Sequence, residues 1–486
     1  MDGLSSGGVS DEETQASMPR NLKLKATDVF LHVADPFWDD SALDWDEVSP
    51  VRRTTRANSS NSSCWSPGEM CRPTVLSFVP GETAHFETHT PDRPTSLSRR
   101  RHLQVSSTRI VPHDLCGGEF DCQGIPWSRF SISRSEYRAK RVREYSNYNN
   151  VNWTAKLELQ RRREIDPGVT LTNSTWNFYE TFKSVNPTID HFQLRHLLCS
   201  TSGVTSYYVS NSVLYSLNKS SLVTKKIIPG NPQQLACMAV GDGMAAIGGF
   251  DSELTVRAIG KTVDLFKAKM SAHDNSITNH VEFVDKGLSV LVANNDHCLT
   301  SVDLHSGTLA SKFKWHSAVN HVSTNGEDLI CLAGDTCDAS VIDRRTDGET
   351  AIALKAHLDY VFCSSWKTPT VCCTGSQDGT CRLWDIRKAS MPLTTMGTLL
   401  GAVRSAKFSA NGKYLAFSEP ADFVHVYETE TWKECQVLDF FGNIGGIAFS
   451  PDSTKLSVAV ADTMFGCITD FQLGTLPINT FKQEGE

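Results

Sequence analysis

Hydrophobic and polar positions alternate regularly along the second half of the chain, from about residue 186 to residue 476. Short runs rich in β-branched and aromatic residues favour strands, and turns that carry Asp or Asn separate them. The turn residue recurs after 40, 45, 42, 40, 44 and 40 residues. Its positions are Asn211, Asp251, Asp296, Asp338, Asp378, Asp422 and Asp462. Because a repeat of this length has room for four short strands, the pattern predicts seven four-stranded units between about residues 190 and 475.

The stretch TGSQDGTCRLWDIRK (374–388) is the clearest unit and predicts a strand, a tight turn and a second strand. Histidines that open successive repeats support the same period: His273, His316 and His357. One four-stranded sheet cannot bury both of its faces, whereas sheets packed side by side in a closed ring bury a continuous core and protect their edges. We therefore predict an all-β fold, a seven-bladed β-propeller.

In these residues the chain resembles the WD40-repeat family. His357, Thr374, Asp378 and Trp384 stand where that family has a hydrogen-bonded structural tetrad. The resemblance implies that the Trp384 indole donates from a buried position and that Asp378 orients His357. A buried polar network must be satisfied throughout, so it stiffens a fold and does not catalyse a reaction.

Other repeats depart from this pattern. Ile342 occupies the tryptophan position in SVIDRR, and Arg257 follows ELTV where an aromatic residue is expected. The first two units also lack the opening histidine.

The wider arrangement resembles a group of uncharacterised plant and fungal WD-repeat proteins. Two segments ahead of and within the first unit carry this resemblance, REYSNYNN (143–150) and HFQLRHLLCSTS (191–202). It implies an architecture and no particular activity.

Ahead of the repeats, residues 1–125 are rich in Ser, Thr, Pro and Arg and have little apolar periodicity, so we predict a largely disordered region. Within it, segment 28–48 carries seven acidic residues, no Lys or Arg, and four aromatic residues. Such a segment suits folding on a partner, although a linker or a strand docked on this chain's own folded half are alternatives.

Residues 126–185 are predicted as a flanking segment with a short basic helix over about 134–146. Its arginines suit a nuclear-import signal or a nucleic-acid patch, but no RNA-binding motif accompanies them, so a solvated flanking helix is favoured. The propeller is assigned to residues 186–476 and a C-terminal tail to 477–486.

Composition and charge limit the classes of function that the sequence predicts. The net charge of -8 is modest for 486 residues, no apolar run has the roughly 18 residues of a membrane span, and the N-terminus does not resemble a secretory signal. Fifteen cysteines without framework spacing favour reduced thiols in an intracellular protein of the nucleus and/or cytoplasm. Because zinc-ligand spacing is also absent, we predict no metal and no cofactor.

These features predict a non-catalytic scaffold that binds proteins or peptides on the rim or face of the propeller. The chain has no phosphate-cradling glycine loop, no paired carboxylates in a cleft motif and no nucleophile elbow, so an enzyme is not expected. Membrane and nucleic-acid partners are not favoured either.

One narrower alternative stays open. LWDIR (383–387) resembles the Trp-Asp-x-Arg box of substrate receptors for cullin-4 ubiquitin ligases, which implies that Asp385 and Arg387 face the ligase adaptor. In the preceding unit Asp343 and Arg345 match the same box with the tryptophan replaced. Against this alternative, many propellers have the box because it ends a blade strand.

Overall fold

The computed structural model describes residues 108–116, 118–229, 234–273, 276–346 and 350–474, which belong to one compact unit. Residues 1–107, including segment 28–48, lie outside the described residues, as does the tail 477–486. Among the described residues, no helix has the length and apolar character needed to cross a membrane.

The part of the chain ahead of the repeats contributes two α-helices, two 3-10 helices and three strands to the described structure. The α-helices are α1 (Arg134–Glu144) and α2 (Ala155–Glu164), and the 3-10 helices are Pro112–Leu115 and Trp127–Arg129. The strands are β1 (Arg109–Ile110), β2 (Thr170–Thr172) and β3 (Trp176–Phe182).

Both α-helices begin at a capping hydroxyl. Ser133 accepts from the Glu136 backbone N–H at 3.2 Å, and the Glu136 side chain accepts from the Ser133 backbone N–H at 2.9 Å. Thr154 accepts from the Leu157 N–H in the same way at 3.3 Å. Each cap satisfies a backbone donor that has no partner within the helix, so the predicted basic helix starts where the sequence places a hydroxyl.

Twenty-six strands follow, and the first twenty form five antiparallel four-stranded sheets, here called blades one to five. Blade one has β4 (Leu198–Ser202), β5 (Thr205–Ser210), β6 (Val213–Asn218) and β7 (Val223–Ile228). Blade two has β8 (Leu235–Gly241), β9 (Met244–Gly249), β10 (Glu253–Ala258) and β11 (Asp264–Lys269). Blade three has β12 (Thr278–Val284), β13 (Ser289–Asn294), β14 (Cys298–Asp303) and β15 (Thr308–Lys314). Blade four has β16 (Val319–Thr324), β17 (Leu329–Gly334), β18 (Asp338–Asp343) and β19 (Thr350–Lys355). Blade five has β20 (Val361–Thr368), β21 (Val371–Ser376), β22 (Thr380–Asp385) and β23 (Thr394–Gly397).

The remaining strands belong to one nine-stranded sheet that also includes β1, β2 and β3. They are β24 (Ser405–Phe408), β25 (Tyr414–Ser418), β26 (Ala421–Glu428), β27 (Glu434–Phe449), β28 (Lys455–Ala461) and β29 (Cys467–Leu473). The long strand β27 pairs with β26 through its first part and with β28 through its second. It therefore divides the sheet into blade six (β24 to the start of β27) and blade seven (the end of β27, β28, β29 and β3).

The first strands of the blades form a ring. Each of β4, β8, β12, β16, β20, β24 and β27 contacts the next, and β27 contacts β4. The apolar clusters lie mainly between neighbouring blades; one contains Cys331 and Val341 of blade four together with Cys372 and Trp384 of blade five. The predicted all-β propeller class is confirmed, with a core that runs around the ring.

Each repeat marker lies in the turn between the second and third strands of its blade or at the start of the third strand. Asp296 and Asp378 show why this position carries Asp: one carboxylate oxygen accepts from the N–H two residues on, that of Cys298 at 3.0 Å and that of Thr380 at 2.9 Å. Gly379, the residue after Asp378, has a φ of 73°, which glycine adopts without strain.

Two predicted boundaries are wrong. Strand β3 is the outer strand of blade seven, so the propeller begins ahead of residue 186. Residues 108–125 are not disordered, because β1 pairs with β3 and the Gln123 side chain makes two hydrogen bonds with the Phe441 backbone. The Gln123–Phe441 contact and the pairing of β3 with β29 join residues about 300 positions apart, which lies outside the repeat period.

The cysteines in apolar runs are buried, as predicted. Every cysteine in the described residues is a free thiol, and Cys363, Cys372, Cys373 and Cys381 have no exposed surface. They pack as small hydrophobic side chains.

Strand β3 provides a test of the ring. We expect the fragment 108–474 to be more stable than the fragment 186–474, on the order of 3–5 kcal/mol or more, because the shorter one loses the buried Trp176 and Phe182. Urea unfolding followed by tryptophan fluorescence and circular dichroism measures the difference. Equal unfolding free energies would show that β3 does not hold blade seven.

Candidate functional site

The four tetrad residues form one chain of hydrogen bonds inside blade five. The Trp384 indole donates to the Thr374 hydroxyl at 2.8 Å, and that hydroxyl lies 2.8 Å from His357 Nε2. On the other side of the ring, His357 Nδ1 lies 3.0 Å from Asp378 Oδ2. All four side chains are buried, so the network has no access to a substrate.

The protonation states of His357 and Asp378 fit this chain of hydrogen bonds. Burial lowers the pKa of His357 and outweighs its attraction to Asp378, so the ring is neutral at pH 7 and donates from Nδ1. Burial would raise the pKa of Asp378, but its contacts with His357 and Thr380 hold it well below the usual range. A neutral ring with both nitrogens engaged is a structural group and not a free base.

The other two marker histidines do not repeat this arrangement. His273 and His316 are exposed, and His316 lies against the Trp315 ring at 4.4 Å. In blade four Ile342 fills the tryptophan position with an apolar buried side chain. In blade two Arg257 donates to Asp264 at 2.7 Å.

The two Asp-x-Arg boxes end the third strands of adjacent blades. In each box the aspartate accepts from the arginine's backbone N–H, at 2.9 Å for Asp343 and Arg345 and at 3.0 Å for Asp385 and Arg387. The guanidinium then folds back onto the same carboxylate, at 2.6 Å and 2.7 Å respectively. The two arginine side chains are 67% and 68% exposed, so both boxes lie on the surface.

The basic helix α1 docks on the chain's own propeller. Arg138 and Arg141 each contact Asp422 at 2.7 Å, and Arg134 contacts Asp439 at 3.0 Å. Asp422 is the marker residue of blade six and is almost fully buried. The favoured prediction of a solvated flanking helix is therefore wrong, because these arginines neutralise carboxylates of blade six.

Helix α2 lies beside blade five. Glu164 pairs with the buried Arg382 at 3.0 Å, and Arg161 pairs with Glu158 at 2.8 Å. Between α2 and the loop ahead of β23 lies a groove of about 570 Å³, with the exposed Met391 on its wall.

The segments 143–150 and 191–202 meet at blades five and six. Tyr148 accepts from the Gln193 side chain at 3.0 Å, and Arg404 donates to the same hydroxyl at 3.3 Å. Gln377 donates to Asn147 at 2.7 Å and accepts from Arg404 at 2.8 Å. Two segments far apart in sequence thus share one polar network.

Blade six contains a buried ion pair. His425 Nε2 lies 2.8 Å from Glu419, whose carboxylate also accepts from the backbone N–H groups of Leu399, Leu400 and Gly401 at 2.6 to 2.8 Å. Burial would lower the pKa of His425, but hydrogen bonds with Cys435 and Glu419, together with the glutamate charge, raise it to about 9. His425 is therefore protonated at neutral pH.

Three more histidines meet inside the ring of first strands. The ring centroids of His196, His280 and His321 lie 3.8 to 5.0 Å apart, and all three side chains are buried. This group was not predicted from the sequence. Its signal is the tripeptide Asn-His-Val, present at 279–281 and again one repeat later at 320–322.

Comparisons with known proteins agree with this fold. No protein-family model matches the chain. Over 216 residues it is 26% identical to the uncharacterised protein C4G3.03 of Schizosaccharomyces pombe, a match that covers 40% of this chain and 62% of that protein. The chain thus spans less than two thirds of this fungal relative. The predicted likeness to plant proteins stays a prediction.

A solved structure shows the likeness of fold directly. A chain of the mitotic checkpoint complex crystal structure matches with a TM-score of 0.52 and 14% identity, over 60% of this chain and 94% of that one. At this identity the likeness concerns the fold alone, and it supports a WD40-like propeller.

The tetrad predicts a stability difference between two substitutions. Trp384→Ala should destabilise the protein by about 3–5 kcal/mol, because it empties a fully buried site. Trp384→Phe, the matched control, keeps most of the volume and loses the hydrogen bond to Thr374, so it should cost about 1 kcal/mol. Urea unfolding measures both. If the two variants were equally stable, the indole would not be packed as the structure places it.

His425 predicts a pH dependence. Its folded pKa lies above the ordinary value of 6.5, so its contribution to the free energy of unfolding is fully present below about pH 6.5 and is lost as the pH rises through about 9. In His425→Gln the decline between pH 6.5 and 8 should be smaller than in the wild type. Denaturant unfolding at a series of pH values tests this, and parallel curves would contradict a protonated His425.

Proposed function

We propose that this protein is a non-catalytic scaffold that binds proteins or peptides on the propeller surface. The observation that carries the proposal is the contrast between the interior of blade five and the exposed strand ends of blades four and five. The groups that resemble a catalytic set are buried and bonded to one another, whereas the boxes at the ends of β18 and β22 are exposed. Propellers of the WD40 type generally act as non-enzymatic interaction scaffolds.

The boxes present preorganised arginines. Each aspartate both caps its turn and holds the guanidinium, so the side chain loses little freedom when a partner binds. A partner carboxylate that meets Arg387 can use Nη1, because Nε and Nη2 donate to Asp385. In Arg345 the corresponding Nη1 already lies 3.0 Å from Asp328. We therefore infer that Arg387 contributes more to binding than Arg345.

The chemistry of this rim suits an acidic protein or peptide. Arginine binds carboxylates with directional, charge-assisted hydrogen bonds, and the adjacent Lys388 adds positive charge.

We also propose an intracellular location, in the nucleus and/or cytoplasm, because so many thiols are free and buried.

The comparisons do not support the cullin-4 alternative. The likeness to solved structures concerns the fold and does not point to a ligase adaptor. The helix considered for insertion into an adaptor, α1, contacts Asp422 and Asp439 of its own propeller instead.

We expect Arg387→Ala to remove at least one bound protein from the set that the full chain captures in cells, as measured by quantitative mass spectrometry. Arg387→Lys keeps the charge and loses the planar fork, so it should retain only part of that binding. Both substitutions should leave the unfolding midpoint unchanged, because the side chain is exposed.

Arg162→Ala is a control matched for exposure, since the Arg162 side chain is 66% exposed and lies on α2 and not in a box. If Arg387→Ala, Arg345→Ala and Arg162→Ala captured the same proteins as the wild type, the boxes would not be the binding surface. Loss of a cullin and its adaptor with Arg387→Ala alone would favour the narrower alternative.

A further inference from the structure

His196, His280 and His321 come from three different parts of the ring. His280 is on β12 and His321 on β16, the first strands of blades three and four, and His196 lies two residues ahead of β4 in blade one. Blade two separates blade one from blade three. These side chains can therefore meet only in the interior of the ring.

Their polar atoms are poorly satisfied. Both ring nitrogens of His196, His280 Nδ1 and His321 Nε2 are buried and have no hydrogen-bond partner among the described residues. The Phe362 backbone lies near His196 without meeting hydrogen-bond geometry. Since buried polar groups in native proteins are nearly always paired, four orphaned nitrogens in one place call for a ligand.

One candidate ligand atom from each histidine can be chosen so that all three lie within 4.8 Å of one another. We propose that these three histidines bind a divalent transition-metal ion, zinc foremost, inside the ring of first strands. Zinc accepts three imidazole nitrogens at about 2.0–2.1 Å and leaves a fourth position for water or another donor. The three ligand nitrogens must move towards one another by roughly 1–2 Å to reach that geometry.

The surroundings of His321 suit a ligand. Its Nδ1 accepts from the Ser364 backbone N–H at 3.3 Å and lies 3.2 Å from the Ser364 hydroxyl, which is in turn 2.7 Å from the Ser323 hydroxyl. Metal-bound histidines usually donate their second ring N–H to a nearby acceptor, which fixes the tautomer and the ring orientation. In this structure Nδ1 accepts from the Ser364 N–H, so the ring proton is on Nε2. Metal binding through Nε2 therefore requires the tautomer with the proton on Nδ1, for which the Ser364 hydroxyl is the acceptor.

The charge state is also favourable. Burial lowers the pKa of His196 to about 3 and lowers those of His280 and His321 far below the ordinary value, so all three rings are neutral, the form that binds metal. Lys407 acts on all three through its positive charge and opposes a bound cation. This opposition supplies a variant that should strengthen binding.

The test is zinc titration of the full chain after chelator treatment, by calorimetry and by metal analysis of the dialysed protein. We expect one equivalent of zinc in the wild type, and its loss in His280→Phe and in His321→Phe, which keep an aromatic ring at each site. His305→Phe changes an exposed histidine and should retain the zinc. Magnesium, which prefers oxygen ligands, should not compete.

Lys407→Gln keeps the test decisive if a histidine variant fails to fold. Removing the opposing charge should tighten zinc binding about fivefold or more, whereas a structural role of Lys407 would not change affinity in this direction. Cobalt substitution separates the histidines from the thiols, because nitrogen ligation gives no thiolate-to-cobalt charge-transfer band. Zinc uptake that is equal in wild type and His280→Phe, or absent from both wild type and Lys407→Gln, would overturn the proposal.

Discussion

The pairing of β3 with β29 is the constraint on which the other features depend. It joins residues 176–182 to residues 467–473, so the last blade is completed by a strand that precedes the first. Without it, blade seven would expose its outer edge and the buried ring of Trp176. The pairing also sets the path of residues 183–197, which must run from the outer strand of blade seven to the first strand of blade one. That path brings His196 into the interior of the ring beside His280 and His321.

The periodic part of the fold could be predicted because its cause is local. A turn between the second and third strands of each blade favours a residue whose side chain can accept from the backbone two positions on, and Asp378 shows this contact. Strand β3 could not be predicted in the same way, since its partner lies almost the whole propeller away in sequence. Strand β3 precedes the first repeat and is not part of the 40–45-residue periodicity. The boundary predicted from that periodicity therefore fell at 186.

The site shows the same division between local and distant causes. His357, Thr374, Asp378 and Trp384 belong to one unit, so their motif is visible in one stretch of sequence, and the structure brings them together. The three interior histidines come from three blades, and one of them lies outside any repeat motif. The role of the α1 arginines is equally hard to predict, because the sequence shows their positive charge but not that Asp422 lies beside them.

Polar groups in the interior therefore fall into two kinds. In blade five His357 has both nitrogens engaged, and in blade six the Glu419 carboxylate is held by His425 and three backbone N–H groups. Such networks rigidify the blades and leave no capacity for a ligand. The histidines inside the ring differ because four of their six ring nitrogens are buried and have no hydrogen-bond partner among the described residues. An ion bound there would link blades one, three and four directly and would add to the closure that β3 provides at the outer edge.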